Sequence, residues 1–357
     1  MKKTENNDLI GVKEIARRAN VSIGTVDRVL HNRTGVSEKT REKINKIIAE
    51  LDYQPNILAR RLASRKLLQF AVVIPDISLE TNYWDAPREG VLQAATELKP
   101  FGIQVLTFLY DQNDKHSFLE QVKKVKKKKV DGVLLAPFFI DESISFTNDC
   151  KAAGIPFVFI NSDIPGQHSI CYIGPNLNQS GHLAAQLFHY AVPGKSKLLV
   201  VNVSREIKTN SFNRLLRKEE GFRSFFEAHG NGKTIIRLDI RKTDERSIEK
   251  NISEVLAGNP DLRGVFVTNS RVGSVAAAIK KSGNVDLFIV GYDYLEDNNA
   301  LLKEGIINFL ICHKPQEQGY KGIMTLYQHI VLGNHIDPVY YMPIDIVSSE
   351  NQDYYRN

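Results

Sequence analysis

The chain has 357 residues, a formal net charge of +6, 42% hydrophobic and 25% charged residues, which is an ordinary globular balance and enough length for two or three domains. No apolar run approaches the roughly 20 residues of a membrane helix, the first residues lack the apolar core of a signal peptide, and three scattered cysteines, Cys150, Cys171 and Cys312, suggest neither a disulfide framework nor a metal site, so a reduced, cytoplasmic protein is expected. Residues 1–66 hold 15 Lys/Arg against 8 Asp/Glu while the remainder holds 32 against 33, an asymmetry that points to a nucleic-acid-binding module joined to a neutral body.

After a tail of residues 1–8, the segment 9–54 reads as three short helices. In "VKEIARRA", Val12, Ile15, Ala16 and Ala19 share one face. Gly11 serves as N-cap, and Asn20 takes the left-handed conformation that ends helices. Ser22 caps a second helix whose apolar stripe is Val26, Val29 and Leu30, leaving Gly24, Asp27, Arg28 and His31 on the opposite face. A third helix starts at Ser37 and turns Ile44, Ile47, Ile48 and Leu51 inward. Three short helices with a tight turn between the first two suit a helix-turn-helix. Residues 55–67 then form a linker around a short basic helix opened by Pro55, with Ala59, Leu62 and Ala63 as its small or apolar positions. A helix this short is marginal alone in water.

The stretch "VKEIARRANVSIGTVDRVLHNRTGVSEKTREKI", followed by "LDYQPNILARRLASRK", resembles the headpiece and hinge helix of the lactose-repressor (LacI/GalR) family of bacterial transcription regulators over about 55 residues. The resemblance implies that the second helix, from Ser22, enters the major groove of operator DNA. Ile23, Gly24 and Arg28 then fall at base-reading positions, and Thr25, Asn32 and Asn56 at positions that touch the backbone. It also implies a hinge helix that orders only on DNA, as a dimer, with Leu62 between Ala59 and Ala63 wedging into the minor groove. Such wedges unstack a base step and bend the duplex onto more protein. Asp27 departs from the family, which usually has Ser there. Its carboxylate accepts from a cytosine amino group, or orients a neighbouring arginine such as Arg28, or discourages non-specific phosphate contact. One carboxylate does not cancel the surrounding basic excess.

From Gln69 onward, apolar runs such as "QFAVVIP", "IQVLTFLY", "DGVLLAP", "KLLVVNVS" and "DLFIVGYD" alternate with helical patterns. Near-continuous apolar strands between helices imply parallel sheets covered on both faces, and some 280 residues are enough for two of them. The resemblance extends here to the type I periplasmic sugar-binding fold. It implies an effector domain over 68–350, with an N-subdomain of about 68–193 plus 315–332, a C-subdomain of about 194–314 plus 333–350, three crossings between them, ligand in the cleft, and a tail at 351–357. The expected fold is thus an all-α helix-turn-helix headpiece followed by an α/β effector domain of two parallel-sheet subdomains.

Ligands of open parallel sheets bind at the carboxyl ends of strands. That rule selects Asn82, Tyr83 and Trp84 after the first strand, Tyr110 and Asp111, Asn161 and Asp163, Asn269, and Asp293. Trp84 reads as a ring for the apolar face of a sugar or as a rim aromatic. Asp293 matches the family's pocket aspartate and also reads as an N-cap for the helix that follows. The family's pocket arginine falls at Lys218, with Arg214 or Arg217 placed to substitute. His313 stands where sugar-binding relatives often have Gln, either making affinity pH-dependent or serving as a satisfied structural histidine. The run "KKVKKKK", residues 123–129, reads as a solvated helix C-terminus.

The expected function is a ligand-responsive transcription regulator, a repressor that binds a pseudo-palindromic double-stranded operator as a homodimer and takes a small effector, a sugar or sugar derivative. The tail "SSENQDYYRN" has no heptad repeat, so no coiled-coil tetramer is expected. A transport-type sugar-binding protein is the alternative the body alone permits. A sugar-processing enzyme is disfavoured: there is no GxxxxGK[ST] loop, no GxSxG elbow and no metal-spaced histidine cluster, and no cofactor is expected.

Overall fold

Among the described residues, the head holds three amphipathic helices and the body twelve strands that alternate with longer helices. The computed structural model describes residues 11–30, 33–51, 53, 67–78, 80–192, 194–205, 214–229, 232–283 and 286–356. His31, Asn32, Asn56, Ala59, Leu62, Ala63 and the expected linker helix lie outside the described residues. The chain divides into two units, Met1–Ser64 and Arg65–Asn357.

In the first unit, α1 is Val12–Ala19, α2 Ile23–Leu30 and α3 Glu38–Glu50. α1 ends at Asn20, whose φ of 54° is left-handed. The Val21 N–H then reaches back to the Ala16 carbonyl at 3.0 Å, satisfying a helix-end acceptor. Ser22 Oγ accepts from the Thr25 N–H at 3.1 Å and Ser37 Oγ from the Thr40 N–H at 3.4 Å, so both expected caps form. Ile15, Ala16, Ala19, Val26, Val29, Ile44 and Ile47 close the core, with Ile48 and Leu51 packed at its edge.

The second unit contains two six-stranded sheets. The first lobe is built on β1 (Leu68–Pro75), β2 (Ile103–Tyr110), β3 (Gly132–Leu135), β4 (Phe157–Ile160), β5 (Cys171–Gly174) and β11 (Val339–Tyr341), in the order β11-β5-β4-β3-β1-β2. All its pairings are parallel. The second lobe is built on β6 (Lys197–Val203), β7 (Thr234–Ile240), β8 (Leu262–Val267), β9 (Phe288–Tyr292), β10 (Phe309–Cys312) and β12 (Asp345–Val347), in the order β12-β10-β9-β8-β6-β7. Only β12 runs antiparallel to its neighbour. Alternate residues of each strand face opposite sides. Phe70, Val72 and Ile74 meet α4 (Asp85–Leu98) and α12 (Pro315–Tyr327), while Ala71 and Val73 meet α5 (Lys115–Lys126) and α6 (Ile140–Ala152). In the second lobe Leu198 and Val200 face α7 (Leu177–Ala191) and α8 (Arg214–His229). Leu199 and Val201 face α9 (Glu245–Ala257) and α10 (Val272–Lys281); α11 (Glu296–Lys303) contributes Leu302 to the same core. Each buried Val, Ile or Phe contributes roughly 1.5–3 kcal/mol before conformational entropy is counted.

The lobe boundaries differ from those expected. α7 follows β5 of the first lobe but packs in the second, its Ala184, Ala185 and Phe188 among Leu198, Val200 and Phe222. The first crossing is therefore at Pro175–Asn176 rather than near 193. β11 joins β5 of the first sheet, so the last crossing falls at 342–344 rather than after 332. Reciprocally, α12 follows β10 of the second lobe and packs in the first. The swapped helices are seated on glycines. A Cβ on Gly90 of α4 would lie 1.8 Å from the Gln316 carbonyl oxygen, and one on Gly319 of α12 2.0 Å from that of Pro87. Gly181 of α7 and Gly221 of α8 repeat the arrangement, each within 2.0 Å of the partner helix's backbone.

The crossing before α12 is fastened from outside. Lys314, at a left-handed φ of 51°, donates to the Arg356 carbonyl, lies 3.5 Å from the Asp345 carboxylate and 4.1 Å from the Tyr355 ring centre. Tyr294 donates to the Gln352 carbonyl at 2.8 Å, holding the same tail segment. Cys150, Cys171 and Cys312 are buried and unpaired, and residues 123–129 are exposed apart from Val125. No described helix is long and apolar enough to cross a membrane.

Gly90→Ala is expected to lower the unfolding free energy by about 1–3 kcal/mol, because a methyl group meets backbone that cannot move aside cheaply. Urea denaturation of the full chain checks this; an unchanged midpoint would show that the two helices can separate without cost.

Candidate functional site

A cavity opens between the two sheets at the carboxyl ends of their strands, the place where open parallel sheets bind their ligands. Of the residues selected from sequence, it brings together Tyr83, Trp84, Asn161, Arg214, Asn269, Asp293 and His313. Lys218, the position of the family's pocket arginine, lines it as well, as do Thr81, Gln112 and Ser270, which the sequence did not single out.

The floor is aromatic. Trp84 is 4% exposed and meets Tyr83 edge-on, ring centres 5.1 Å apart. Asn161 donates through Nδ2 to the Tyr83 hydroxyl at 2.6 Å. Its φ of 69° is left-handed, and its own N–H is held by the Ile173 carbonyl and Gln318 Oε1. Asp293 stands at the matching end of β9, again left-handed with φ 73°. Its N–H donates to the Ile311 carbonyl at 3.0 Å. Asn298 Nδ2 donates to its carbonyl at 2.9 Å and also to those of Ser270 and Tyr292. Asn298, 2% exposed, is thus a clamp on two pocket loops, hidden in sequence inside a surface-looking helix. The Asp293 carboxylate itself accepts no hydrogen bond from the described residues. The sequence alternative, a helix cap, does not arise: the N-cap position before α11 is Leu295.

The charges around this carboxylate are strained by burial. Lys218, 7% exposed, donates to the Thr268 carbonyl at 3.1 Å and sits 3.4 Å from the Tyr292 ring centre. Burial pushes its ammonium below the usual amine range, and Asp293 pulls it partly back. Burial pushes Asp293 above the usual carboxylate range, opposed by Lys218 and Arg214. Arg214 lies over Phe138 at 4.2 Å. His313 Nε2 is 3.0 Å from Ser180 Oγ, and burial together with Lys218 holds the ring well below its usual value. His313 is therefore a neutral wall residue, and the groups that titrate against one another here are Lys218 and Asp293. Ser180 is fully buried and shared with the Tyr292 hydroxyl at 2.9 Å, so this serine–histidine pair presents no nucleophile to the cavity.

Five expected residues lie elsewhere. Asn82 lines two neighbouring hollows at the cleft mouth. Tyr110 is 1% exposed and donates to the Ala136 carbonyl at 2.8 Å, as core. Asp111 accepts from the Asn113 N–H at 2.8 Å, shaping a turn. Asp163 and Arg217 pair at 2.5 Å from opposite lobes. On the other side of the cleft, Glu80 accepts from Thr243 Oγ1 at 2.7 Å, and Arg271 donates to the Glu80 and Thr243 carbonyls. The lobes are thus bridged on both flanks of the cavity.

On the head, α2 presents Ile23, 49% exposed, with exposed Gly24 and Arg28. A Cβ on Gly24 would meet nothing nearer than 3.7 Å, so no packing within the head requires a glycine there. Ser22 and Thr25 share a 2.9 Å hydroxyl contact at the helix start. Asp27 Oδ2 accepts from Arg33 Nη1 at 3.1 Å, a neighbouring arginine other than Arg28.

Comparison with known proteins follows the same division. A model of the periplasmic binding protein domain matches residues 70–334, and one of the bacterial regulatory proteins of the lacI family matches residues 11–56. The chain is 32% identical over 178 residues to catabolite control protein A of Staphylococcus epidermidis, covering 50% of this chain and 51% of that protein. It is 32% identical over 155 residues to the HTH-type transcriptional regulator DegA of Bacillus subtilis, covering 43% and 44%. The match therefore spans about half the length of these relatives, or less. Among solved structures, a Bacteroides fragilis protein assigned to the LacI transcriptional regulators matches with TM-score 0.76 at 28% identity, over 82% of this chain and 100% of that one. The glucose-galactose binding protein GanP of Geobacillus stearothermophilus matches with TM-score 0.71 at 21% identity, over 80% and 99%, a likeness of fold.

A lysine whose folded value is depressed binds fewer protons than the unfolded chain, so its contribution to stability rises with pH and is least favourable at low pH. Lys218→Met removes that burden. Relative to wild type, the variant is expected to gain on the order of 2 kcal/mol at pH 6 over its standing at pH 10, whatever the pH-independent cost of freeing the Thr268 carbonyl. Urea denaturation at both pH values measures the difference, and a difference of zero means the ammonium is solvated.

Proposed function

Because the chain belongs to the periplasmic-binding-protein domain family and carries a lacI-family regulatory head, we propose that it is a sequence-specific DNA-binding transcription regulator, a repressor, whose hold on its operator is set by a small sugar or sugar derivative in the cleft. The observation that carries this reading is the union, in one chain, of a basic three-helix head with an exposed α2 face and a two-lobed body with a polar, aromatic-floored cavity. In this reading the Asp293 carboxylate accepts ligand hydroxyls, the Tyr83–Trp84 pair lies against an apolar C–H face, and Asn269, Gln112 and Thr81 take the remaining polar groups. A ligand gripped from both sheets favours the arrangement in which Asp163 meets Arg217 and Glu80 meets Thr243. On DNA, Ile23, Gly24 and Arg28 read base edges in the major groove, Thr25 touches the backbone, and a homodimer reads a pseudo-palindrome.

Control of one site by another is a coupling free energy and is reciprocal. With an operator obtained by in vitro selection, the affinity for the effector, followed through the single tryptophan, is expected to differ about 5- to 150-fold between free and DNA-bound protein. Equal affinities would sink the regulatory reading. Asp293→Ala is expected to weaken the effector about ten- to hundredfold, the worth of hydrogen bonds to a charged acceptor, without altering the selected operator.

Asp27→Ser tests the head. An exposed ion pair is worth at most about 1 kcal/mol. If Asp27 positions Arg33, selection with the variant returns the same sequence, with affinity changed less than about fivefold. A new base preference at one position of each half-site would instead assign Asp27 to base readout.

A further inference from the structure

Arginines around the cleft differ in one respect. Arg217 has Asp163 at 2.5 Å. Arg271 has two carbonyl acceptors, and Arg205 has Glu80 at 3.5 Å. Arg214, which lines the cavity, makes no hydrogen bond or ion pair with any described residue; its guanidinium lies over the face of Phe138. Burial pulls it below its usual value, as expected for a cation taken from water without an acceptor. One turn along α8, Lys218 spends a single donor on the Thr268 carbonyl. Across the cavity, the Asp293 oxygens accept nothing from described residues. His313 is neutral. The cavity therefore sets two basic groups, Arg214 and Lys218, against one carboxylate, with a planar donor fork on the α8 wall and the Asp293 oxygens at the end of β9.

A half-buried guanidinium without an acceptor gains from an occupant that supplies one, and its fork matches a carboxylate or phosphate in bidentate geometry. A neutral sugar answers Asp293 through its hydroxyls but leaves the Arg214 fork without a charged acceptor. We propose that the effector is a polyhydroxylated anion, a sugar carboxylate or sugar phosphate, whose anionic group lies against Arg214 and Lys218 and whose hydroxyls donate to Asp293. This rests on the reading of the cleft as a sugar site and names the class of sugar.

The test titrates the full chain with glucuronate, galacturonate, glucose 6-phosphate and galactose 6-phosphate, and with neutral glucose and galactose. Tryptophan emission and calorimetry provide the readouts. At least one anion is expected to bind ten times tighter than its neutral parent or more, and whether it is a carboxylate or a phosphate identifies the anionic group. The preference is expected to shrink toward unity in Arg214→Gln and to survive in part in Arg214→Lys. The wild-type ratio stands whether or not the variants fold. A neutral sugar that binds as tightly as its charged derivatives overturns the proposal and leaves the sugar reading intact. Failure of every compound, in protein that still binds operator, overturns both.

Discussion

The backbones of α4 and α12 touch at Gly90 and Gly319, and those of α7 and α8 touch at Gly181 and Gly221. Much else follows from these two contacts. Each seats a helix lent by the opposite lobe, so the chain must cross the cleft after β5 and after β10. Those crossings place the carboxyl ends of both sheets against one shared space. The residues that line it, on loops after β1, β2, β4, β5, β8, β9 and β10 and on α7 and α8, are brought together only because the two sheets face one another in this way. A side chain larger than hydrogen at any of the four positions would drive helix backbones apart, and at Gly181 or Gly221 the misfit would pass along α8 to Arg214 and Lys218.

The lobes share an arrangement that the sequence does not advertise. The order β2-β1-β3-β4-β5-β11 in one sheet corresponds to β7-β6-β8-β9-β10-β12 in the other. At the end of the fourth strand of each, β4 and β9, stands a non-glycine residue in the left-handed region, Asn161 and Asp293. Left-handed backbone costs an ordinary residue roughly 1 kcal/mol or more, and Asn and Asp tolerate it best. Here the surroundings compensate: Gln318 and the Ile173 carbonyl hold Asn161, and Asn298 and the Ile311 carbonyl hold Asp293. The two turns aim an amide and a carboxylate at the same space from opposite walls.

What was legible in the sequence was what local physics decides. Ser22, Ser37 and Asn20 cap or end helices through contacts within five residues, and all three do so in the structure. Strands showed as apolar runs, and their carboxyl ends located the cleft. The misses lie where a neighbour one or three residues away competes. Asp111 and Gln112 are adjacent, and only the turn that Asp111 shapes sends Gln112 to the cavity. Tyr110 closes its strand on the core side of the pleat. Lys218 was recognised as the position of a pocket arginine, yet the arginines beside it drew the weight; one of them, Arg214, does face the cavity, while Arg217 turns to Asp163. The lobe boundaries failed for a different reason. The apolar stripe of α7 reads the same whichever sheet it covers, and the three residues of β11, all partly exposed along an edge, carry no pattern that assigns them to a sheet.

Lys314 gives the cleft a property that its lining residues do not hold. It sits on the chain between β10 and α12, one residue beyond His313, and is tied to the Arg356 carbonyl, the Tyr355 ring and Asp345, which opens β12 after the last crossing. Two of the three connections between lobes are thus stiffened by one cation and a short stretch of tail, on the outside of the molecule. The torsional stiffness of this joint enters the free energy of lobe closure, and closure is part of every binding event in the cleft. Two chains with identical cavities and different tails would hold the same compound with different strength. Drift in residues 352–356 is therefore a route by which the threshold of response can be retuned while the chemistry of recognition stays as it was.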